Sequence, residues 1–169
     1  MRTLAPKFIT TLLLSLVLLS CSNDDDGIYF EDTAEVEIVV ENITYSSLEL
    51  EILDLVNAHR QSIGLKSLQP LDIVSGVAEG HTNYMIENGE ISHDNFAKRS
   101  EQLMSNANAK AVGENVAYGF GSAEGVVNGW LNSESHRKVI ENSNYTHFGI
   151  STECNTQGRN FFTHIFINK

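Results

Sequence analysis

The chain has 169 residues, with 22 acidic side chains against 11 basic ones and a formal net charge of −11. A chain this acidic repels polyanions at long range, which excludes general affinity for nucleic-acid backbones. Its two cysteines exclude a four-cysteine zinc site.

At the N-terminus, Arg2 and Lys7 flank the start of a largely apolar run from Phe8 to Leu19, which small Ser20 closes before Cys21. The run is too short to span a bilayer comfortably as a mature helix and has the form of an export signal. Leu18-Leu19-Ser20-Cys21 resembles the bacterial lipobox, which implies cleavage before Cys21 and lipidation of its thiol and new amino terminus. An ordinary secretory signal cut nearby is the alternative. Removal of residues 1–20 takes away Arg2 and Lys7 and no acid, so the formal charge moves from −11 to −13. Ser22-Asn23-Asp24-Asp25-Asp26 reads either as a solvated spacer or as similar to the acidic surface-export tags of Gram-negative lipoproteins. Val36, Ile38 and Val40 alternate with polar residues, a pattern read here as tether rather than strand. The expected organisation is a signal over 1–20, a lipidated Cys21 with an acidic tether over 21–43, and one domain over 44–169. With Cys21 lipidated, Cys154 has no disulfide partner. A domain of about 125 residues is large enough to stand on its core alone.

The first helix is predicted to begin at Ser46, where Glu49 three residues on completes a capping box. Leu48, Ile52, Leu55, Val56, His59 and Ile63 recur at helical spacing and Gly64 stops the run. His59 reads as a packed or edge histidine, and Leu65 and Leu68 pin the following connection to the core. A second helix runs from Leu71 to Asn88 with Val74, Val77, Ala78, His81, Tyr84 and Met85 on one face, so His81 also reads as structural. His93 differs, because it falls in a polar loop (Glu90 to Phe96) between helices, where burial is not the default and scaffold-held side chains are disproportionately functional. A third helix is predicted over 97–105, carrying Leu103 and Met104.

Glu114 then arrives in the apolar stretch Val112-Gly113-Glu114-Asn115-Val116-Ala117-Tyr118. A carboxylate in such a setting must be paired, metal-bound or protonated if it is buried. A fourth helix starts near Ser122 with Val126, Val127, Trp130 and Leu131 on one side, while Gly125 and Gly129 on the other admit a close neighbour. Ser133 to His136 follows. The chain closes with two strand-like runs, 147–151 and 160–167, read as a hairpin around Gly158. Cys154 on this hairpin reads as a small buried hydrophobe rather than a nucleophile. Helices first and strands late predict an α+β or layered α/β/α fold. His93, Glu114 and His136 are the candidate site, as one cleft or as a hydrogen-bonded network bracing the fourth helix against the 92–95 loop.

In order along residues 47–168, Leu55-Val56-Asn57-Ala58-His59-Arg60, Ser92-His93, Gly113-Glu114-Asn115-Val116-Ala117, Trp130 to Arg137, Phe148-Gly149-Ile150 and Phe162 to Phe166 together resemble the CAP (SCP-like) superfamily, in its short, disulfide-free bacterial form. The resemblance implies an α-β-α sandwich with about four helices on a small, mostly antiparallel sheet. It also implies a cleft of two histidines and acids that binds a divalent metal in several members. Those positions here are His93, His136 and Glu114, as metal ligands or catalytic candidates. The second family acid corresponds to Ser133, and Glu134 would point about 100° away around a continuous helix. Two imidazoles and one carboxylate can hold zinc or another divalent cation with an open position. The expected function is an exported lipoprotein of the outer membrane or cell surface of a Gram-negative-type bacterium. It is anchored to the membrane through Cys21 and binds a small apolar, lipid or glycan-related ligand at the cleft. The alternative is a metal-dependent hydrolase acting on peptide or envelope material.

Overall fold

A computed structural model describes residues 43–169; the expected export signal, Cys21 and all but the last residue of the expected tether lie outside the described residues. In chain order the elements are α1 (Ser47–Ser62), β1 (Gln69–Pro70), α2 (Asp72–Asn88), α3 (Phe96–Ala107), β2 (Ala111–Tyr118), α4 (Ala123–Asn132), α5 (Glu134–Ile140), β3 (His147–Cys154) and β4 (Asn160–Asn168). Among these described residues no helix is long and apolar enough to cross a membrane.

The first helix starts where the capping box places it. Ser46 Oγ accepts from the Glu49 N–H at 3.2 Å, and Glu49 Oε2 accepts from the Ser46 N–H at 2.8 Å. Its C-terminal end corrects the expected apolar stripe, because Ile63 is the C-cap residue and is 48 % exposed. The helix ends at Ser62, so Ile63 leaves the stripe that Ile52 and Val56 continue. His59 sits at the edge as expected, its Nε2 2.9 Å from Glu141 Oε1.

The sheet has the order β1-β3-β4-β2. β1 runs parallel to β3, and β4 is antiparallel to both β3 and β2. Central β4 is buried from Phe161 to Ile167, as befits a strand covered on both faces. Phe162 and Phe166 join Ile52, Val56, Val126 and Trp130 on the face turned to α1 and α4. Ile165 and Ile167 join Val74, Val77 and Leu103 on the face turned to α2 and α3. This is the α-β-α layering expected, built from α+β elements. Gly149 brings the layers together, since a Cβ there would lie 2.6 Å from the Val74 carbonyl carbon; the α2 backbone rests directly on β3.

The expected fourth helix, α4, is followed by a short further helix, α5. Ser133 adopts φ −95°, ψ 121° and serves as C-cap of α4 and N-cap of α5. Trp130 is 2 % exposed, its Nε1–H donates to the Val116 carbonyl at 3.0 Å, and its ring meets Phe162 edge-on at 6.5 Å. Gly129 admits Phe120, whose Cζ would stand 2.7 Å from an added Cβ. Cys154 is exposed, contrary to expectation, because it ends β3 at the hairpin turn and its Sγ lies 2.6 Å from Asn160 Oδ1.

His164 is fully buried among aromatic rings, 5.5 Å from Trp130, 5.4 Å from Phe148 and 4.2 Å from Phe166. Burial alone pushes its pKa down to about 3, so it folds as neutral imidazole.

Trp130→Ala is expected to cost about 3–5 kcal/mol in urea unfolding; a loss below about 1 kcal/mol would contradict the packing described. Between the ordinary 6.5 and about 3, unfolded His164 binds a proton that the folded chain does not. Stability therefore falls as pH drops across that window, by about 1.4 kcal/mol per pH unit from this group. His164→Phe should lower the slope by nearly that amount in urea titrations at about pH 6 and about pH 4.

Candidate functional site

The site is organised by two neighbours on β2, which forms one edge of the sheet. Successive strand residues point to opposite faces, so Glu114 and Asn115 reach to opposite sides of that edge. Glu114 turns toward α2 and α3. Asn115 turns toward α5, where its Nδ2 donates to the His136 carbonyl at 3.1 Å. The two thus fix the two histidines from one point on the chain.

Glu114 is 7 % exposed and its carboxylate is fully engaged. Arg99 Nε donates to Oε2 and Arg99 Nη2 to Oε1, each at 2.8 Å. His93 Nδ1 lies 2.8 Å from Oε1, and since a carboxylate only accepts, that nitrogen carries the proton. In the neutral ring the lone pair is then on Nε2. Burial pushes the Glu114 carboxyl up, but the hydrogen bonds from His93 and Arg99 and the guanidinium charge outweigh it and hold the group below the ordinary carboxylate value.

The loop that carries His93 is held at several points. Gly89 ends α2 in the left-handed region at φ 70°, a conformation that glycine adopts without steric cost. His81 Nε2 donates to the Ser92 carbonyl at 2.8 Å, and Tyr84 Oη to Asp94 Oδ2 at 3.2 Å. Arg99 Nη1 donates to the Asp94 carbonyl. His81 is thus structural, as expected, but it positions the loop of the site. Its Nε2 also lies 3.9 Å from Glu114 Oε1, yet the proton is committed to Ser92. Burial, with the Arg99 charge, lowers its pKa and keeps it neutral.

His93 is exposed at the rim and His136 half-buried opposite. Burial lowers the His136 pKa, and charge on His93 lowers it further. The structure thus joins His93 to Glu114 directly and ties His136 to the same strand through Asn115. Ser133, at the position of the second family acid, offers only a hydroxyl, 3.2 Å from Ser135 Oγ. Glu134 follows the helix break but pairs with Lys138 at 2.7 Å on the exposed side of α5, away from the histidines.

Arg99 escaped the sequence reading. A signal was present: Arg99, Leu103 and Ala107 are all buried on α3, four residues apart, so the stripe of that helix runs through the arginine. Among the described residues, no three His, Cys, Asp or Glu side chains converge on a metal position. The imidazole nitrogens left free of the Glu114 network, His93 Nε2 and those of His136, are of the donor type that a divalent ion takes. Glu114 does not fit as a third ligand, because its oxygens would first have to leave Arg99.

The profile of the cysteine-rich secretory protein (CAP) family matches residues 53–166. Over 124 residues the chain is 36 % identical to the uncharacterized membrane protein YlbC of Bacillus subtilis, covering 72 % of this chain and 34 % of that one. Its fold superposes with a TM-score of 0.63 on an extracellular SCP-domain protein of Bacillus anthracis, at 31 % identity, covering 72 % of this chain and 40 % of the other. An outer surface protein of Borrelia burgdorferi shares the fold at a TM-score of 0.64 and 23 % identity, over 70 % of this chain and 90 % of that one. An α-β-α sandwich with an edge strand between two histidines is the SCP type of domain. The chain belongs to the cysteine-rich secretory protein family, and it spans about a third of the length of YlbC.

Arg99→Met should cost about 3–5 kcal/mol in chemical unfolding, because it leaves a buried carboxylate with His93 as its one close donor. Adding Glu114→Gln should recover part of that loss, a non-additivity read from the double-mutant cycle.

Proposed function

We propose that this chain is an exported, lipid-anchored binding module whose His93–Glu114–His136 cleft holds a small apolar, lipid or glycan-related ligand, with a divalent ion such as zinc as an accessory on the two imidazoles. The observation that carries this reading is the engagement of both Glu114 oxygens by Arg99 and His93. A metal-dependent hydrolase needs a carboxylate or imidazole free to take a proton from the attacking water, and a firmly held ion to activate it. Here the one buried carboxylate of the cleft is a positioning group, and Ser133 stands where a second acid would be. The cleft is therefore suited to recognition more than to turnover.

Anchoring through Cys21 at the outer membrane or cell surface is part of the same proposal. It is supported by the signal and lipobox pattern of residues 1–21. The names of relatives agree with export: an extracellular protein, an outer surface protein and a membrane protein.

Native mass spectrometry of the full chain with fatty acids, phospholipids and glycan fragments should show at least one stable complex that His136→Ala removes without unfolding the protein. Steady turnover of any of these without a complex would contradict the reading. Labelling with radioactive palmitate should mark the wild type and not Cys21→Ser, with the variant leaving the membrane fraction.

A further inference from the structure

The other open edge of the sheet presents a different chemistry. β1 pairs with β3 only as far as Pro70 and Phe148, so among the described residues no strand pairs with the outer edge of β3 from Gly149 to Cys154. Two of its N–H groups are taken by side chains: Ile150 N–H donates to Ser75 Oγ at 3.2 Å and Thr152 N–H to Glu49 Oε1 at 2.8 Å. Beside this edge lies a groove of about 260 Å³ whose lining includes Ile43, Glu49, Glu79, Ile150, Ser151 and Glu153.

The polar groups of the groove share its lining. Ser151 and Glu153 are two apart on β3 and share the face turned to α2, where Glu79 stands. Among the described residues, none of the three glutamates pairs with a basic side chain. Burial, together with the charges of Glu79 and Glu49, raises the Glu153 carboxyl above its ordinary value. Repulsion of that kind is relieved by an incoming cation. Independently, Ser151 is only 4 % exposed, and among the described residues its Oγ has no hydrogen-bond partner. Buried hydroxyls are ordinarily paired, so an unpaired one beside a groove calls for a polar partner.

We propose that this groove binds a primary alkylammonium group, the ammonium held by the Glu79 and Glu153 carboxylates and the Ser151 hydroxyl, its hydrocarbon stem lying against Ile43. An ammonium brings three N–H donors and no acceptor, which matches two carboxylates and one hydroxyl oxygen. A bare metal ion matches less well, because no three acidic or histidine side chains converge at metal distance among the described residues. A free diamine and the lysine side chain of a peptide both carry this chemistry. The site is separate from the His93–His136 cleft, which lies at the β2 edge.

The test is isothermal titration calorimetry of the full chain at low ionic strength with two probes, 1,5-diaminopentane and N-acetyl-lysine methylamide. Saturable binding of at least one is expected. It should weaken by about tenfold or more in the Glu79→Gln, Glu153→Gln double variant, weaken in Ser151→Ala, and persist in His136→Ala. Circular dichroism checks that each variant is folded. Binding of the diamine alone points to a free amine and binding of the lysine amide points to a peptide side chain; either supports the proposal. No saturable heat from either probe, unchanged affinity in the double variant, or equal binding of 1,5-pentanediol would overturn it.

Discussion

The structure around the cleft depends on one buried carboxylate. An ionised Glu114 without partners would cost several kcal/mol. It is retained because three charge-assisted hydrogen bonds, each 2.8 Å, converge on it from Arg99 and His93. That compensation has structural consequences beyond the pair. Arg99 must enter the interior, which docks α3. Its remaining nitrogen takes the Asp94 carbonyl, which fixes the loop. His93 must offer Nδ1–H to the carboxylate, which sets its tautomer and turns Nε2 away from Glu114. The same hydrogen bonds that stabilise the buried carboxylate therefore leave the Nε2 lone pair of the imidazole free of Glu114 and occupy both carboxylate oxygens.

An edge strand makes this arrangement compact. Because neighbouring residues on β2 face opposite layers, Glu114 holds the His93 loop and Asn115 holds α5 from adjacent positions. Exposed edges are a liability for pairing with other chains, and here both are occupied by side chains. Trp130 takes the Val116 carbonyl on the β2 edge, and Ser75 and Glu49 take N–H groups on the β3 edge. Each edge thus carries both a structural plug and a concentration of polar side chains.

Much of this was legible in the sequence because it rests on local signals. The Ser46–Glu49 box, Gly89 after Asn88, and the apolar spacing of Val126, Val127 and Trp130 are all written within a few residues. The α-β-α architecture followed from ordered motifs along the chain, and so did the pairing of His93 with Glu114. What remained hidden was long-range. Val112 to Tyr118 reads as an apolar stretch, but its role as an edge strand exists only through pairing with β4. Arg99 looks like any surface arginine until its spacing with Leu103 and Ala107 is set against a partner fifteen residues away in sequence. The helix break at Ser133 and the exposure of Cys154 depend on where packing stops, which local propensity does not encode.

The most direct measurement of the central claim is the tautomer of His93, read by long-range nitrogen–proton correlation NMR of the imidazoles above neutral pH. The Glu114 network requires the proton on Nδ1 and the lone pair on Nε2, and that pattern should disappear in Glu114→Gln with Arg99→Met. A proton found on Nε2 in the wild type would mean that the carboxylate does not hold His93. The cleft would then have to be rebuilt with Glu114 free to act as a ligand or a base.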